Sequence, residues 1–153
     1  MKAKLLHAGS EKSWVIVFES GDEVMAELTE FARQQRLSAS HFTAIGAFRH
    51  ALLGFFNLEK KDYKRIPVTE QVEVLSLIGD IALQDKEPKI HAHVVLGRSD
   101  GSTCGGHLLQ AEVHPTLEVI LNESPKHLYR KTNEEIGLAL IDLDGGDVSR
   151  RHT

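Results

Sequence analysis

Residues 90–107, IHAHVVLGRSDGSTCGGH, have the pattern of two strands joined by a tight turn. In its first half, His91 and His93 alternate with apolar residues, and side chains two apart on a strand share a face. One face of the strand would therefore carry two imidazoles. The opposite face would be a core surface made by Ile90, Ala92, Val94 and Leu96.

The turn decides which residues of the two strands face each other. Residues 99–101, Ser-Asp-Gly, suit a three-residue hairpin loop that ends with glycine in the left-handed conformation. Such a loop pairs Arg98 with Ser102. Counting outward from that pair places His93 opposite His107, and directly opposed residues share a face. The register thus predicts a third imidazole beside the first two.

Two alternatives would separate the histidines. A two-residue loop centred on Asp100 and Gly101 would place His107 opposite Val94, on the other face. A bulge at Gly105-Gly106 would also change the count. These two glycines remove side-chain bulk just before His107, so that backbone, a metal ion or a neighbouring subunit can approach closely.

The predicted cluster is a metal site made by His91, His93 and His107. Three neutral imidazoles resemble open sites that leave one position for water or substrate. Zinc is the default divalent ion, and iron, manganese, nickel and copper remain alternatives. Cys104 falls opposite Leu96 in the same register, so we interpret it as a small buried apolar residue rather than a ligand.

The rest of the chain predicts one helix and several strands. Asp22 is the expected cap of a helix from about Glu23 to Arg36. Its buried stripe would be Val24, Leu28, Phe31 and Ala32. Strands are expected at residues 13–19, 39–46, 52–58, 72–78, 81–84, 90–97, 103–113, 117–121 and 138–143, with a charged turn at 59–64, a charged loop at 85–89 and a helical turn at 125–130. This content predicts an α+β fold dominated by an antiparallel sheet with one principal flanking helix.

Composition limits the class of protein. The 153 residues are 41% hydrophobic and 26% charged, which fits a single domain over 1–153 with a core at about 14–143 and a polar tail at 145–153. No apolar run is long enough to span a membrane, no signal peptide is evident, and the lone cysteine excludes an internal disulfide. We therefore expect a cytoplasmic protein. The net charge of −4 argues against a dedicated nucleic-acid binder.

Several motifs stand in the order found in one family, the plants-and-prokaryotes conserved (PPC) domain, and the stretch from Trp14 to Leu143 resembles it. The motifs are Gly21-Asp22-Glu23, Ala44-Ile45-Gly46-Ala47, Glu73-Val74-Leu75-Ser76-Leu77-Ile78-Gly79, His91-Ala92-His93, Asp100-Gly101, Gly105-Gly106-His107-Leu108 and Glu118-Val119-Ile120-Leu121. The resemblance implies an antiparallel sheet with a flanking helix, assembled as a homotrimer. Plant relatives join this domain to AT-hook segments that bind DNA. This chain has no Arg-Gly-Arg-Pro hook, so DNA binding by this chain alone is doubtful.

A more distant resemblance is to acetolactate decarboxylase, whose zinc is also held by a His-X-His pair and a later histidine. It implies that Glu73 or Glu118 serves as an acid–base partner. It likewise implies that Arg49 or Arg98 binds an anion. For each of the four, the alternative is an ordinary surface or paired charge, which we favour.

Three functions follow. The first, which we favour, is a metal-binding homotrimer that binds a small-molecule ligand or a partner. The second is a metal-dependent lyase or hydrolase, in which the ion polarises a carbonyl or activates water. The third is a DNA-associated regulatory protein in which this domain is the oligomerisation module.

Overall fold

The computed structural model describes residues 1–144, which form nine strands and one helix. In chain order these are β1 (Lys2–Ala8), β2 (Lys12–Glu19), α1 (Val24–Gln35), β3 (Ala39–Asn57), β4 (Asp62–Val68), β5 (Val72–Gln84), β6 (Glu87–Gly97), β7 (Thr103–Glu123), β8 (Tyr129–Asn133) and β9 (Leu138–Asp142). All pairings of these strands are antiparallel except the single contact between β5 and β8. The α+β class and the flanking helix are as predicted.

Two very long strands organise the sheet. β3 pairs with β4, β5 and β7, while β7 pairs with β2, β3 and β6. The pairings β3–β5, β5–β6, β6–β7 and β7–β3 close a ring, so β6 has a neighbour on both sides. A slip by one residue would turn the core side chains of a strand to the opposite face. Because β6 pairs with β5 on one side and with β7 on the other, its register is fixed by both neighbours.

Helix α1 packs the predicted stripe of Val24, Leu28, Phe31 and Ala32 against the sheet, and all four are buried. Its cap differs from the prediction. Glu23, not Asp22, is the N-cap, and its side chain accepts a hydrogen bond from the Ala26 amide at 2.6 Å. Asp22 instead accepts from the Glu19 amide at 2.9 Å, which closes the preceding turn.

Several predicted boundaries were wrong because the strands are longer than their apolar runs. The segments predicted at 39–46 and 52–58 belong to one strand, β3, and those at 103–113 and 117–121 belong to β7. β5 runs through Gly79-Asp80 without interruption. The charged loop at 85–89 shrinks to Asp85-Lys86, since Glu87–Lys89 already pair with β5.

Three strands were not predicted. β1 is exposed along its whole length, and β4 is charged and mostly exposed, so neither has the alternating pattern that marks a half-buried strand. The helical turn expected at 125–130 is wrong, because β8 begins at Tyr129. The predicted polar tail at 145–153 lies outside the described residues. Within residues 1–144, no helix has the length and apolar character needed to cross a bilayer.

One face of the sheet, which we call the outer face, carries exposed apolar residues. Its members are Ile45, Ile78, Val95 and Ile120, at 63%, 55%, 44% and 45% exposure. Ile78 pairs with Thr43 on β3 and with His93 on β6, and Thr43 in turn pairs with Ile120. Directly paired residues share a face. The outer face is therefore continuous with the strand face that carries His93.

Candidate metal centre

The hairpin between β6 and β7 has the three-residue loop expected from the sequence. The Arg98 amide donates to the Ser102 carbonyl at 2.8 Å, and the Gly101 amide donates to the Arg98 carbonyl at 3.0 Å. Gly101 has φ of 81°, a conformation that favours glycine. His93 pairs with His107, so the predicted register is confirmed and no bulge interrupts it.

Three imidazoles consequently meet at one point above the sheet. The Nε2 atoms of His91 and His93 are 3.1 Å apart. The ring centroids lie 5.0 Å apart for His91 and His93, and 5.2 Å from each of these to His107. One ligand nitrogen from each ring lies within 4.8 Å of the other two.

This geometry fits a metal ion. Two nitrogens bound to one tetrahedral zinc at about 2.0–2.1 Å are separated by roughly 3.3 Å. The His91–His93 separation of 3.1 Å is already close to that value, and one ligand nitrogen of His107 lies within 4.8 Å of both. The His107 Nδ1 atom is buried without a hydrogen-bond partner in residues 1–144, which is costly unless another group satisfies it.

The site also favours neutral imidazole, the form that binds metals. Burial, together with a smaller effect of the positive charges of neighbouring groups, lowers the pKa of His107 to about 4. Burial likewise lowers the pKa of His93, with a smaller contribution from His91. Both rings are therefore unprotonated at neutral pH and offer a lone pair.

His91 has two charged neighbours behind it. Its Nδ1 atom lies 3.7 Å from Asp80 Oδ2 and 3.3 Å from Arg130 Nη2. Arg130 Nη2 also donates to Asp80 Oδ1 at 2.6 Å. Burial would raise the pKa of Asp80, but the neighbouring His91 and Arg130 outweigh it and hold that pKa below its usual value. Asp80 is thus a carboxylate beside the ring nitrogen that would face away from the ion.

His107 is packed by a ring and by close backbone. The Tyr63 ring lies 4.9 Å from that of His107, and it occupies the space that a side chain at position 54 would need: a Cβ on Gly54 would lie 2.6 Å from Tyr63 Cδ1. A Cβ on Gly106 would lie 2.8 Å from the Gly54 carbonyl oxygen. The sequence suggested that backbone, a metal ion or a neighbouring subunit comes close to Gly105-Gly106. In the structure, neighbouring backbone does so.

A hollow of about 500 Å³ opens beside the cluster. His91 and His107 line it, together with Tyr63, Lys89 and Arg130. Most of its remaining lining comes from the β8–β9 hairpin and from apolar residues of α1, β6 and β7. The cluster is therefore reachable from a cavity of the size that small ligands occupy.

The four charged residues that the distant resemblance implied lie elsewhere. Arg49 pairs with Glu112 at 2.9 Å, and Arg98 pairs with Glu70 at 2.8 Å. Glu73 and Glu118 are exposed and line a separate hollow with Ile45. None of the four is among the described residues that line the hollow beside the histidines. Cys104 pairs with Leu96, as predicted, and is half-buried against the core.

Sequence reasoning missed Tyr63, Asp80 and Arg130. Asp80 could have been found from strand pairing. It is two residues from Ile78 on β5, and these two residues pair with His91 and His93 of β6. Tyr63 and Arg130 carried none, since they come from the strands that were not predicted. Their positions depend on how β4 and the β8–β9 hairpin fold over the sheet.

Comparison with known proteins gives a family and several solved relatives. The model of the Plants and Prokaryotes Conserved (PCC) domain, also abbreviated PPC, matches residues 6–125. A PPC protein of Pyrococcus horikoshii is 32% identical, with a TM-score of 0.80 and coverage of 92% of this chain and 94% of that one. A metal-containing protein of Archaeoglobus fulgidus is 36% identical, with a TM-score of 0.79 and coverage of 85% and 92%.

Two further matches bear on function. A protein of Bacteroides thetaiotaomicron, described provisionally as DNA-binding, is 27% identical with a TM-score of 0.82, over 92% of this chain and 96% of that one. The bifunctional protein GlmU of Synechococcus sp. (strain JA-3-3Ab) is 28% identical over 128 residues, or 82% of this chain. The chain spans 19% of the length of that curated relative.

Proposed function

This chain belongs to the Plants and Prokaryotes Conserved domain family, and on that premise we propose that it is a metal-binding protein whose ion binds a small ligand. The observation that carries the proposal is the convergence of three imidazoles from one hairpin, with ligand nitrogens within 4.8 Å of one another. The solved relative from Archaeoglobus fulgidus, described as metal-containing, supports it.

His91, His93 and His107 would hold a divalent ion, with zinc as the first expectation. Three protein ligands leave at least one coordination position open, and an ion held in this way supplies a Lewis acid to whatever occupies that position. The hollow is lined by His91 and His107, so a ligand held there would lie beside the cluster. The chain's own contribution is to hold the three rings in place and to shape the cavity beside them.

Metal analysis tests this proposal. Protein purified without a histidine tag and loaded with zinc should retain about one ion per chain after dialysis. His107→Ala and His91→Ala should lose that ion while keeping the far-UV spectrum of the parent. His114→Ala is the matched control, because His114 contacts Ser20 at 3.1 Å and takes no part in the cluster. Stoichiometric zinc in His107→Ala would refute the assignment.

The assembly is proposed to be a homotrimer. The outer face supports this, because Ile45, Ile78 and Ile120 form a contiguous apolar surface of the kind that marks an interface. His93 lies on the same face, opposite Ile78. A second copy covering the outer face would therefore lie near the ion.

A metal-dependent lyase or hydrolase is the second candidate, and the hollow beside the cluster favours it. A carboxylate next to the open position would be expected for acid–base chemistry. Among the described residues that line the hollow there is no Asp or Glu. We therefore place ligand binding first.

DNA binding has less support. It is the role given provisionally to the relative from Bacteroides thetaiotaomicron. Contacts to phosphates need clustered positive charge, whereas this chain has 18 basic and 22 acidic residues.

A further inference from the structure

The hollow beside the histidine cluster has walls of two kinds, and we propose that its ligand is a small monocarboxylate with an apolar body. The carboxylate would occupy the open side of the ion, and the apolar body would lie against the hydrophobic wall. This inference rests on the proposed metal site and adds the chemical class of its ligand.

The hollow is lined by two cations and by no described carboxylate. Arg130 lines the hollow with a side chain that is only 6% exposed, and its Nε atom has no hydrogen-bond partner in residues 1–144. Lys89 lines the hollow as well, and its charge and that of Arg130 both act on His107. No carboxylate is among the described lining residues, and Asp80 balances only one of these cations.

A divalent ion would add two more positive charges to this wall while the three imidazoles stay neutral. The field inside a cleft with low-dielectric walls is stronger than at an open surface, so the cleft concentrates ligands of opposite charge. A neutral ligand would leave the ion and one of the two cations uncompensated. An anion is therefore the ligand that this wall favours.

The other wall limits what kind of anion fits. It is apolar and is built by three different parts of the chain, namely α1, the β6–β7 hairpin and the β8–β9 hairpin. Its members are Met25, Ile90, Leu108, Leu109, Leu138 and Leu140. Phosphate or another fully solvated anion would leave these side chains without a partner, whereas an alkyl carboxylate covers them.

Size points the same way. A volume of about 500 Å³ is far more than a water or a halide needs, and it lies within the range of small-molecule pockets. The ligand that fills it must therefore carry a body as well as a charged head.

Cobalt-substituted protein gives the test, because the visible absorption of Co²⁺ reports on its ligands. Hexanoate, acetate, hexanamide and inorganic phosphate are titrated against it, with calorimetry as a second readout. We expect hexanoate to bind at least about tenfold more tightly than acetate, because four further methylenes leave water. Hexanamide and phosphate should bind more weakly than hexanoate.

Variants separate the two walls. Lys89→Gln should lower the affinity for hexanoate by about fivefold, which is the size of effect expected for an exposed cation. The variant should still bind cobalt. Leu138→Ala should lower the affinity for hexanoate but not the affinity for acetate. Lys131→Gln, on the same hairpin but outside the lining of this hollow, is the control and should change neither.

The outcomes distinguish the two proposals. Failure to take up cobalt would overturn the metal assignment and this inference with it. Uptake of cobalt with equal binding of hexanoate and hexanamide, or with phosphate as the tightest ligand, would overturn the inference alone.

Discussion

His91 lies between two side chains of opposite charge, and these favour different tautomers. Asp80 can accept a hydrogen bond from His91 only when Nδ1 carries the ring proton, which leaves the lone pair on Nε2, toward His93. Arg130 can only donate, and donation to Nδ1 would move the ring proton to Nε2. Binding of an ion at Nε2 selects the first arrangement. Arg130 then holds the Asp80 carboxylate in place.

Asp80 is therefore expected to be a positioning residue for the metal. Asp80→Asn should lower zinc affinity by about tenfold to a hundredfold, as is typical when the partner of a ligating histidine is lost. Competition with a chromophoric chelator measures this change. Asp85→Asn, in the exposed turn after β5, is the control and should leave the affinity unchanged. Parent-like affinity in Asp80→Asn would show that His91 needs no such partner.

The three histidines could be predicted because two local rules suffice for them. Alternation along a strand puts His91 and His93 on one face, and the length of one turn puts His107 opposite His93. Arg130 obeys no local rule. It reaches His91 from 39 positions away, and its approach depends on the packing of a hairpin that joins the main sheet by a single pair, Leu83 with Tyr129.

At the scale of elements, one carboxylate joins helix α1 to the sheet. Glu23 Oε2 accepts from the Ala26 amide at 2.6 Å, and Oε1 accepts from the Ala111 amide of β7 at 3.0 Å. Asp22 looked the better cap because Asp is a preferred N-cap residue and Glu is not. The contact with β7 explains the choice, since only the longer side chain reaches both amides.

Loss of this carboxylate should destabilise the fold. Glu23→Ala is expected to lower the free energy of unfolding by about 1–3 kcal/mol, because it removes a cap and leaves the Ala111 amide unsatisfied. Urea denaturation followed by circular dichroism measures the loss. Glu30→Ala, on the exposed side of the same helix, should cost less than about 0.5 kcal/mol. Equal losses in the two variants would contradict the role of Glu23.

Strand ends were harder to predict than strand centres for a related reason. The centres of β3, β5 and β7 bury apolar residues, so their periodicity is visible. β1 and β4 are held mainly by backbone pairing with a neighbour and bury few side chains. Backbone hydrogen bonds are available to any sequence, so such strands leave little trace in composition.

At the scale of the whole molecule, the exposed apolar residues of the outer face favour association with other copies of the chain. Ile45, Ile78 and Ile120 stand on neighbouring strands and are each at least 45% exposed. Water contact with such a patch costs free energy that association removes. The face is continuous with His93, so assembly and metal binding are expected to be coupled.

Sedimentation equilibrium tests the assembly. The parent chain should behave as a trimer at micromolar concentration, and Ile120→Glu should shift it to monomers because three buried carboxylates would face an apolar interface. Leu58→Glu is the control, since Leu58 is 67% exposed in the turn after β3 and away from the outer face. A monomeric parent, or a trimer that survives Ile120→Glu, would exclude the outer face as the interface.

Arg130 stands on β8, beyond the stretch of residues 6–125 that the family model matches, whereas the three histidines lie inside that stretch. The three histidines and the Arg130 guanidinium behind His91 thus lie on opposite sides of the end of the matched stretch. We expect substitutions in the β8–β9 hairpin to change which ligand the hollow accepts without altering His91, His93 or His107. Relatives that share the three histidines need not bind the same ligand, because residues of this hairpin line the hollow and lie outside the matched stretch.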